Sequence, residues 1–542
     1  MTSPGQYQVS SQLAELGHRS IYDILAQARQ DYGNKPAFSC GTDTLSFIDL
    51  DDRADQLARY LRHGLGLQPG DRLAILLPNL LQYTIGIFAA LKAGLVIVNT
   101  NPQYTASEAR HQFSDSGARA VLALDKLVPL VRSVQADTAI THLIVTSMDD
   151  LQNPELSASA ADETRFMHAL QAGAELPSVS PEREPDDLAL LQYTGGTTGV
   201  SKGAMLTHRN ILCNVLQAVS ILKPGEVDYG NEVRVSPLPL YHIFAFTANC
   251  IASVFTGFHS VLISNPRDLD SMMADLKRHP FTLLTGINSL FVSLMAHPEF
   301  DSLDFSRLKW VNSGGAPLNT EIAKRWFART GSVIREGYGL TETSPVVVAS
   351  TANTPYREGY IGKAVIDTWL QTVDDDGNPT ARGEPGELLI KGPQVMQGYW
   401  QREDETAKTF STDGWLKTGD VGVIDEEGFL KLVDRKKDMI LVSGFNVYPN
   451  DIEDAVMRHP GIRECVAVGI PDERTGEAIK LYVSLHDAEL DSASIIAHCR
   501  EHLTGYKIPR QVEIRDELPK STVGKLLRRV LRDEARAQAG AA

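Results

Sequence analysis

"DLALLQYTGGTTGVSKGAMLTHRNILCNVLQAV" occupies residues 187–219. Its first seven residues form an apolar run of strand length, and its last twelve have the spacing of an amphipathic helix. Between them lies a bend rich in glycine and threonine, with one serine and one lysine. A strand that leads into such a bend and then a helix is typical of α/β proteins, which bind ligands where their strands end.

The bend has the composition of a phosphate-binding loop. Glycine lets backbone N–H groups approach a ligand closely, while hydroxyl groups and a lysine supply further donors for phosphate oxygens. The common G-x-x-x-x-G-K-[ST] loop does not fit, because Gly203 follows Lys202 where a hydroxyl residue is required. Taken alone, the bend is more often an ordinary surface loop than a phosphate-binding loop, so other segments must decide.

Composition and charge limit the possible classes of protein. The 542 residues are enough for several domains, since a single core stops growing at roughly 250 to 300 residues. With 52 Lys and Arg against 68 Asp and Glu, the net charge of −16 argues against a nucleic-acid-binding surface. The five cysteines include no C-x-x-C pair, and residues 1–18 lack the apolar core of a signal peptide. We therefore predict a cytoplasmic protein with no nucleic-acid partner.

Strand and helix patterns alternate in the first part of the chain. Residues 47–61 have the pattern of an amphipathic helix, and strand patterns follow at 72–78, 95–99, 118–124 and 142–147. This alternation predicts an α/β fold with doubly wound, mostly parallel sheets that are covered by helices on both faces. Residues 149–186 are rich in Ser, Ala, Pro, Asp and Glu and are predicted to be a long surface connection.

The pattern changes in the second half of the chain. From about residue 355, short strands and turns predict a small β-barrel-like subdomain over about 355–434. A boundary follows near "DRKKDMI", and residues 435–542 have the make-up of a small α+β domain. That domain is predicted to end in a basic helix, "GKLLRRVLRDEARAQ".

One apolar segment is long enough to cross a bilayer. Residues 243–263, "IFAFTANCIASVFTGFHSVLI", contain no Asp, Glu, Lys or Arg. Asn249, Ser253 and Thr256 interrupt the run, and "TGFH" has the composition of a turn. The sequence therefore favours a buried helix of core length followed by a short strand over a membrane span.

Seven motifs follow one another in a fixed order. They are "YTGGTTGVSKG" (193–203), "PLYHIFA" (239–245), "SGGAPL" (313–318), "YGLTET" (338–343), "WLKTGD" (415–420), "VDRKKDMILVSGFNVYP" (433–449) and "PKSTVGKLLRR" (519–529). Together they make the chain resemble the adenylate-forming acyl-CoA synthetase superfamily, and most closely the bacterial long-chain fatty acid:CoA ligases. The resemblance extends over essentially the whole chain.

The resemblance implies a reaction in two halves with ATP, Mg²⁺ and CoA. A carboxylate is a poor acceptor for a thiol, so it is first joined to AMP with release of pyrophosphate, and the thiol of CoA then displaces AMP. Neither half requires a protein nucleophile, because in-line positioning and neutralisation of phosphoryl charge are sufficient. The resemblance also implies an N-terminal adenylation domain over 1–434 and a mobile C-terminal domain over 435–542, with a hinge near Lys437.

The resemblance assigns roles to residues of the adenylation domain. Tyr338 would stack on adenine, Asp420 and Arg435 would hold the ribose, and Glu342 would bind Mg²⁺. Thr197, Lys202 and Glu342 would act in catalysis. The implied nucleotide-binding set is Thr194, Gly195, Gly196, Thr197, Thr198, Gly199, Lys202, Gly314, Gly315, Ala316, Tyr338, Gly339, Thr341, Glu342, Asp420 and Arg435.

Two positions of the C-terminal domain are also implied. Lys525 would draw the carboxylate and the α-phosphate together during adenylation. Gly444 would then supply backbone to the channel for CoA after the domain has turned. From the residues alone, Lys525 is simply part of the polar face of an amphipathic end helix.

The acyl substrate is less constrained. His242 lies where relatives keep an aromatic at the acyl entrance, Phe246 aligns with a tunnel gate, and Gly314 adjoins both acyl group and nucleotide. A neutral core histidine is the alternative for His242. A fatty acid is favoured, but a medium-chain acid, an aryl or other carboxylic acid, and a synthetase that stops at acyl-AMP stay open. Also open are a homodimer and a peripheral contact with the inner membrane face.

Overall fold

The computed structural model describes residues 17–152, 163–180, 183–194, 200–222, 225–351, 354, 357–472, 474–486, 490–521 and 524–540. Within these ranges the strands form four sheets of seven, nine, four and five strands. Two large sheets of mostly parallel strands fill the first 364 residues, which confirms the predicted α/β class.

The strands of the described ranges are numbered in chain order. They are β1 Pro36–Cys40, β2 Asp43–Ser46, β3 Arg72–Leu76, β4 Val96–Asn99, β5 Ala120–Leu124, β6 His142–Thr146, β7 Glu163–Arg165, β8 Leu188–Thr194, β9 Lys202–Thr207, β10 Val233–Ser236, β11 His259–Leu262, β12 Leu283–Gly286, β13 Trp310–Gly314, β14 Ile334–Gly339, β15 Val346–Ala349, β16 Lys363–Ala364, β17 Trp369–Val373, β18 Pro385–Lys391, β19 Leu416–Ile424, β20 Leu430–Arg435, β21 Ile440–Val442, β22 Phe445–Val447, β23 Ile462–Asp472, β24 Gly476–Leu485 and β25 Gln511–Ile514.

The α-helices are numbered in the same way. They are α1 Ile21–Tyr32, α2 Phe47–Arg59, α3 Leu81–Ala93, α4 Ala106–Ser116, α5 Val128–Gln135, α6 Phe166–Ala174, α7 His208–Ser220, α8 Ile243–Ala245, α9 Ala252–Thr256, α10 Leu269–Arg278, α11 Asn288–Ala296, α12 Thr320–Thr330, α13 Glu403–Thr409, α14 Pro449–Val456, α15 Ser492–His502 and α16 Arg528–Gly540. Two π-helical segments and four 3₁₀ turns are also described: Tyr60–Gly64, Phe246–Ile251, Asp125–Leu127, Phe300–Ser302, Thr341–Thr343 and Gly505–Lys507.

The glycine-rich bend joins two strands of the seven-stranded sheet, whose order is β7-β6-β5-β3-β4-β8-β9. Strand β8 runs parallel to β4, and β9 returns antiparallel with Thr194 opposite Lys202. Helix α7 follows at once because Thr207 caps it, accepting a hydrogen bond from the Asn210 backbone at 3.1 Å. The predicted strand and helix on either side of the bend are confirmed, although the intervening strand β9 was not predicted.

The nine-stranded sheet places the other adenylation motifs. Its order is β16-β15-β14-β13-β12-β10-β11-β1-β2, and the strands from β14 to β1 in that order are parallel. The "SGGAPL" and "YGLTET" motifs follow the neighbouring strands β13 and β14 at the same edge. Since ligands bind at the carboxyl ends of parallel strands, this edge is where a site is expected.

Two smaller sheets lie in the second half of the chain. The β-rich segment forms an antiparallel sheet with the order β17-β18-β19-β20, in which each strand pairs with the next one in the chain. The α+β segment forms a sheet with the order β22-β21-β24-β23, and β25 pairs parallel to β24. Helices α14 and α15 pack there around buried side chains such as Ile452 and Ile495.

The apolar segment 243–263 is folded as predicted. Helical turns run without a break from Ile243 to Thr256, and strand β11 follows after a turn at Gly257. Phe246, Cys250 and Ile251 are fully buried in the core between the two large sheets. None of the helices in the described ranges has the length and apolarity needed to cross a membrane.

Two local expectations were wrong. Residues 149–186 are not one long connection, because β7 and α6 lie within them and Phe166, Ala169 and Leu170 are buried. The basic end helix begins at Arg528, whereas it was expected from Gly524. Residues 524–527 instead form an irregular turn in which the Ser521 N–H donates to the Lys525 carbonyl at 2.7 Å. That turn keeps Lys525 off the helix face.

Candidate active site

A cavity of about 1840 Å³ opens where β13 and β14 end and where the four-stranded sheet and the C-terminal segment meet them. Most of the predicted site residues line it. They are Thr194, Lys202, His242, Gly314, Gly315, Ala316, Tyr338, Gly339, Thr341, Glu342, Asp420, Arg435, Lys437 and Lys525.

Tyr338, Asp420 and Arg435 form one hydrogen-bonded group, although 97 residues separate the first from the last. The Tyr338 hydroxyl donates to Asp420 Oδ2 at 2.6 Å, and Arg435 Nε lies 3.1 Å from Asp420 Oδ1. Cross-strand pairing of β19 with β20 puts Asp420 directly opposite Arg435. Burial, followed by the Asp420 charge, raises the pKa of Tyr338 far above its usual range. Both oxygens of this carboxylate are therefore oriented by the protein.

The glycines at the strand ends serve two different purposes. A Cβ on Gly314 would lie 3.1 Å from the Phe244 ring, and one on Gly339 would lie 2.0 Å from the Pro345 carbonyl oxygen. These two positions exclude side chains because the protein itself is close. Gly315 has a φ of +82° and open space where its Cβ would be, which suits a flat ligand lying on the backbone.

Lys525 projects from the C-terminal segment into the cavity. A Cβ on the preceding Gly524 would lie 2.5 Å from Ile287 and 2.8 Å from Ser289, so the segment packs closely against the larger domain. Although the side chain faces open cavity space, surrounding protein lowers the Lys525 pKa to about 8. Arg435 lowers it further, while Asp420 opposes the change. The lysine therefore lies within electrostatic reach of the Asp420–Arg435 pair.

His242 is half-buried beside the same cavity and caps helix α8. Its Nδ1 accepts a hydrogen bond from the Phe244 N–H at 3.3 Å. Burial and then the Lys525 charge lower the His242 pKa to about 4, so the ring is neutral at pH 7. Because Nδ1 accepts, the proton resides on Nε2.

Glu342 and Lys202 are joined through Tyr399. The Tyr399 hydroxyl donates to Glu342 Oε1 at 2.6 Å, and the Lys202 ammonium stands 4.9 Å from the centre of the Tyr399 ring. The same ammonium pairs with Glu405 Oε2 at 2.5 Å. A phosphate approaching Lys202 thus has to compete with this carboxylate.

Some predicted residues are not part of the cavity. Gly195, Gly196, Thr197, Thr198 and Gly199 lie outside the described residues. Phe246 is fully buried and is absent from the cavity lining, to which Phe244 contributes instead. Gly444 sits at the turn between β21 and β22 with a φ of +83°, and it is likewise absent from the lining.

The predicted hinge at Lys437 is held by arginines of helix α16. Arg532 Nη1 lies 2.7 Å from Asp438 Oδ1, and Arg528 bridges Asp434 at 3.3 Å and Glu453 at 2.7 Å. Burial lowers the Lys437 pKa to about 8 against the attraction of Asp438. Both flanks of the residue are therefore tied to the last helix.

Two cavity residues, Tyr399 and Glu336, and the Lys202 partner Glu405 were not predicted from the sequence. Tyr399 and Glu405 lie in segments without a marked pattern, and only the fold brings them to Glu342 and Lys202. Glu336 accepts a hydrogen bond from the Leu318 N–H at 2.9 Å, and burial raises its pKa to about 7. A carboxylate two residues before Tyr338 on β14 was the available signal, since alternate strand residues share a face.

Sequence comparison agrees with this geometry. A family model described as AMP-binding enzyme matches residues 25–400, and a model of the AMP-binding enzyme C-terminal domain matches residues 451–525. The chain belongs to the AMP-binding enzyme family. Among relatives within that family, the long-chain-fatty-acid–CoA ligase of Escherichia coli O6:H1 is 47% identical over 539 residues, with 96% of this chain and 95% of that protein covered.

Two further comparisons have lower sequence identity. The long-chain-fatty-acid–CoA ligase of Bacillus subtilis is 36% identical, with 96% of this chain and 95% of that protein covered. The crystal structure of an anthranilate CoA ligase in complex with anthranoyl-AMP superposes with a TM-score of 0.87 at 25% identity. It covers 96% of this chain and 98% of its own. The whole architecture, including the C-terminal part, is therefore shared.

Proposed function

We propose that this AMP-binding enzyme is an ATP-dependent fatty acid:CoA ligase. It joins a fatty carboxylate to AMP with release of pyrophosphate, and it then transfers the acyl group to the thiol of CoA. Relatives named long-chain-fatty-acid–CoA ligases at 44% to 47% identity support the fatty-acid substrate. The structure of a relative with anthranoyl-AMP, an acyl adenylate, supports the two-step route.

One structural observation carries the proposal. The Lys525 ammonium of the C-terminal segment reaches the cavity that also contains the Tyr338, Asp420 and Arg435 group. That cavity continues between the nine-stranded sheet and α7 along apolar side chains such as Val219 and Leu222. A nucleotide position and an acyl channel thus meet at one cationic side chain.

The first half-reaction needs two anions to approach each other. A carboxylate oxygen attacks the α-phosphorus, the bond to pyrophosphate breaks, and the electron pair leaves with pyrophosphate. Lys525 and Arg435 offset the repulsion between the reacting groups, and Asp420 would accept hydrogen bonds from the ribose hydroxyls. Neutral His242 presents its Nε2–H at the acyl entrance, where it donates a hydrogen bond without adding charge.

The donor set fits a magnesium ion that is held mainly by substrate. Glu342 lines the cavity and has one oxygen engaged by Tyr399, which leaves the other for a ligand. No group of three or more metal-binding side chains occurs in the described part of the chain. One carboxylate plus phosphate oxygens is ordinary Mg²⁺ coordination, and the ion would neutralise phosphate charge.

The second half-reaction requires Lys525 to withdraw. The CoA sulfur attacks the acyl carbonyl carbon, AMP leaves with the electron pair, and the thiol proton passes to solvent. Since the Lys525 segment packs on Ile287 and Ser289, we propose that residues 435–542 turn about Lys437 and bring the Gly444 turn to the site. The phosphate-binding role of residues 194–202 and the domain limits 1–434 and 355–434 belong to the same proposal.

Exchange of labelled pyrophosphate into ATP tests the proposal. Exchange should depend on an added fatty acid, and CoA should then yield AMP and acyl-CoA in equal amounts. Acids of six to eighteen carbons, with benzoate as the aryl alternative, identify the substrate class. ATP binding without acid-dependent exchange would contradict the enzyme assignment, and exchange without CoA consumption would indicate a synthetase that stops at acyl-AMP.

Two partner proposals accompany this function. A fatty-acid substrate that partitions into bilayers supports a peripheral contact with the inner membrane face, and homodimer formation is the proposed assembly. Co-sedimentation with anionic vesicles tests the first proposal, and light scattering of the purified chain tests the second. Recovery of all protein in the supernatant would contradict the membrane contact. A monomer mass at micromolar concentration would contradict the homodimer.

A further inference from the structure

The acyl channel runs along one face of the nine-stranded sheet. In β13, Trp310, Asn312 and Gly314 line the cavity, whereas Val311 packs into the cluster on the opposite face. Side chains of a strand alternate between faces, so these three share the face toward α7 and the segment 243–256. Residues of those helices, including Leu222 and Ala248, line the opposite wall.

The channel reaches the amino ends of the strands. Gly314 is the last residue of β13 and Trp310 is the first, so four steps of about 3.3 Å separate the adenylate end from the far end by about 13 Å. An acyl chain laid along this face thus ends near Trp310.

A buried cation lies at that far end. Arg234 of β10 lines the cavity and is only 9% exposed. Its Nη1 donates to the Ala248 carbonyl and to Ser253 Oγ, and its guanidinium lies 5.4 Å from the centre of the Phe258 ring. No carboxylate of the described residues forms an ion pair with it. Burial lowers its pKa to about 10, so the charge persists at neutral pH.

Arg234 adjoins the apolar cluster that contains Leu222, Phe258 and Trp310, and a second arginine lies close to that cluster. Arg335 shares the sheet face through its register with Asn312, and its guanidinium lies 4.5 Å from the centre of the Trp310 ring. Arg335 Nη1 already donates to the Thr351 carbonyl at 2.9 Å. A methyl terminus would leave the remaining donors of Arg234 without an acceptor. Buried donors normally have partners, so the far end is built for an acceptor.

We propose that the far end of the channel binds an oxygen acceptor on the distal end of the acyl chain, with Arg234 as its donor. The inference rests on the proposed ligase function and specifies the substrate class as medium-chain acids with a terminal hydroxyl or carboxylate. Within the described chain the hydrogen bonds of Arg234 use Nη1, which leaves the Nε and Nη2 donors for the ligand. A carboxylate matches the charge, and a hydroxyl matches the hydrogen bond alone.

The test compares three ten-carbon substrates in the full-length enzyme with ATP, Mg²⁺ and CoA. They are the plain monocarboxylic acid, the ω-hydroxy acid and the α,ω-dicarboxylic acid. The wild type should use at least one oxygenated acid with a kcat/KM no lower than that of the plain acid. Arg234→Met should lower the ratio of oxygenated to plain kcat/KM about tenfold or more, because a buried charge-assisted hydrogen bond is lost.

Two further variants separate recognition from folding. Ser253 accepts a hydrogen bond from Arg234 but does not line the cavity. In Ser253→Ala the ratio of oxygenated to plain kcat/KM should stay within twofold of the wild type. Arg234→Lys keeps the positive charge. Its ratio of kcat/KM for the dicarboxylic acid to that for the plain acid should therefore fall less than its ratio for the hydroxy acid. It keeps the test decisive if Arg234→Met fails to fold.

The outcomes are distinguishable. A tenfold loss with only the dicarboxylic acid assigns the site to an anion, and a loss with only the hydroxy acid assigns it to a neutral acceptor. Ratios in Arg234→Met that stay within threefold of the wild type for both acids would overturn the inference. If the wild type forms no acyl-CoA from any of the three acids or from longer plain acids, the proposed function itself fails.

Discussion

Deprotonation of Lys525 should switch off adenylation above pH 8. The surrounding protein and the nearby Arg435 charge lower its pKa to about 8, although Asp420 opposes them. The protonated fraction is then about 90% at pH 7 and about 10% at pH 9. If the ammonium is the form that draws carboxylate and α-phosphate together, kcat/KM for ATP should fall about tenfold over these two pH units.

The assay is acid-dependent ATP–pyrophosphate exchange from pH 6.5 to 10, with kcat/KM extracted at each pH. This parameter reports the pKa values of the free enzyme, which is the state that the structure describes. Lys525→Arg keeps a cation whose pKa lies well above this range, so its profile should stay flat above pH 8 at a lower absolute rate.

Lys437 is the necessary control because burial lowers its pKa to about 8 as well. If Lys525 is responsible for the decrease in kcat/KM above pH 8, Lys437→Arg should show the same decrease. Two results would refute the reasoning. One is a wild-type kcat/KM that stays constant up to pH 10. The other is a decrease of kcat/KM above pH 8 that disappears in Lys437→Arg but persists in Lys525→Arg.

Three further predictions concern the division of labour and the stability of the fold. Lys525→Ala should reduce exchange by about 10²-fold or more while leaving thioester formation from supplied acyl-AMP largely intact; an equal loss in both would contradict separate orientations. Arg528→Ala leaves buried Asp434 and half-buried Glu453 without their cation and should cost about 3 kcal/mol in denaturant unfolding, whereas exposed Arg529→Ala should cost less than about 1 kcal/mol. Gly339→Ala would place a methyl 2.0 Å from a carbonyl oxygen and should lower stability by about 2 kcal/mol or more, while Gly337→Ala, with its nearest neighbour at 3.8 Å, should be tolerated; equal melting temperatures would disprove the packing argument.

Local patterns were sufficient for most of the elements. The apolar run before the glycine-rich bend and the helix after it were recognisable because strand and helix periodicities differ. The same holds for the buried segment 243–263, whose polar residues and turn excluded a membrane span. The connection 149–186 was misjudged because its short strand and helix are stabilised by burial against distant residues rather than by their own composition.

The sequence alone determined the α/β class, and its ordered motifs pointed to the residues of the nucleotide site through a family resemblance. Tertiary structure decided what those residues do to one another. The hydrogen bond from Tyr338 to Asp420, the pairing of Lys202 with Glu405 and the lowered pKa of Lys525 arise between segments far apart in the chain. Periodicity and motif spacing report only local backbone preferences, whereas burial and electrostatic coupling depend on which surfaces the fold brings together. For the same reason Arg234, an unremarkable strand residue in the sequence, emerged as a buried cation in the cavity wall only once the sheet and helices were in place.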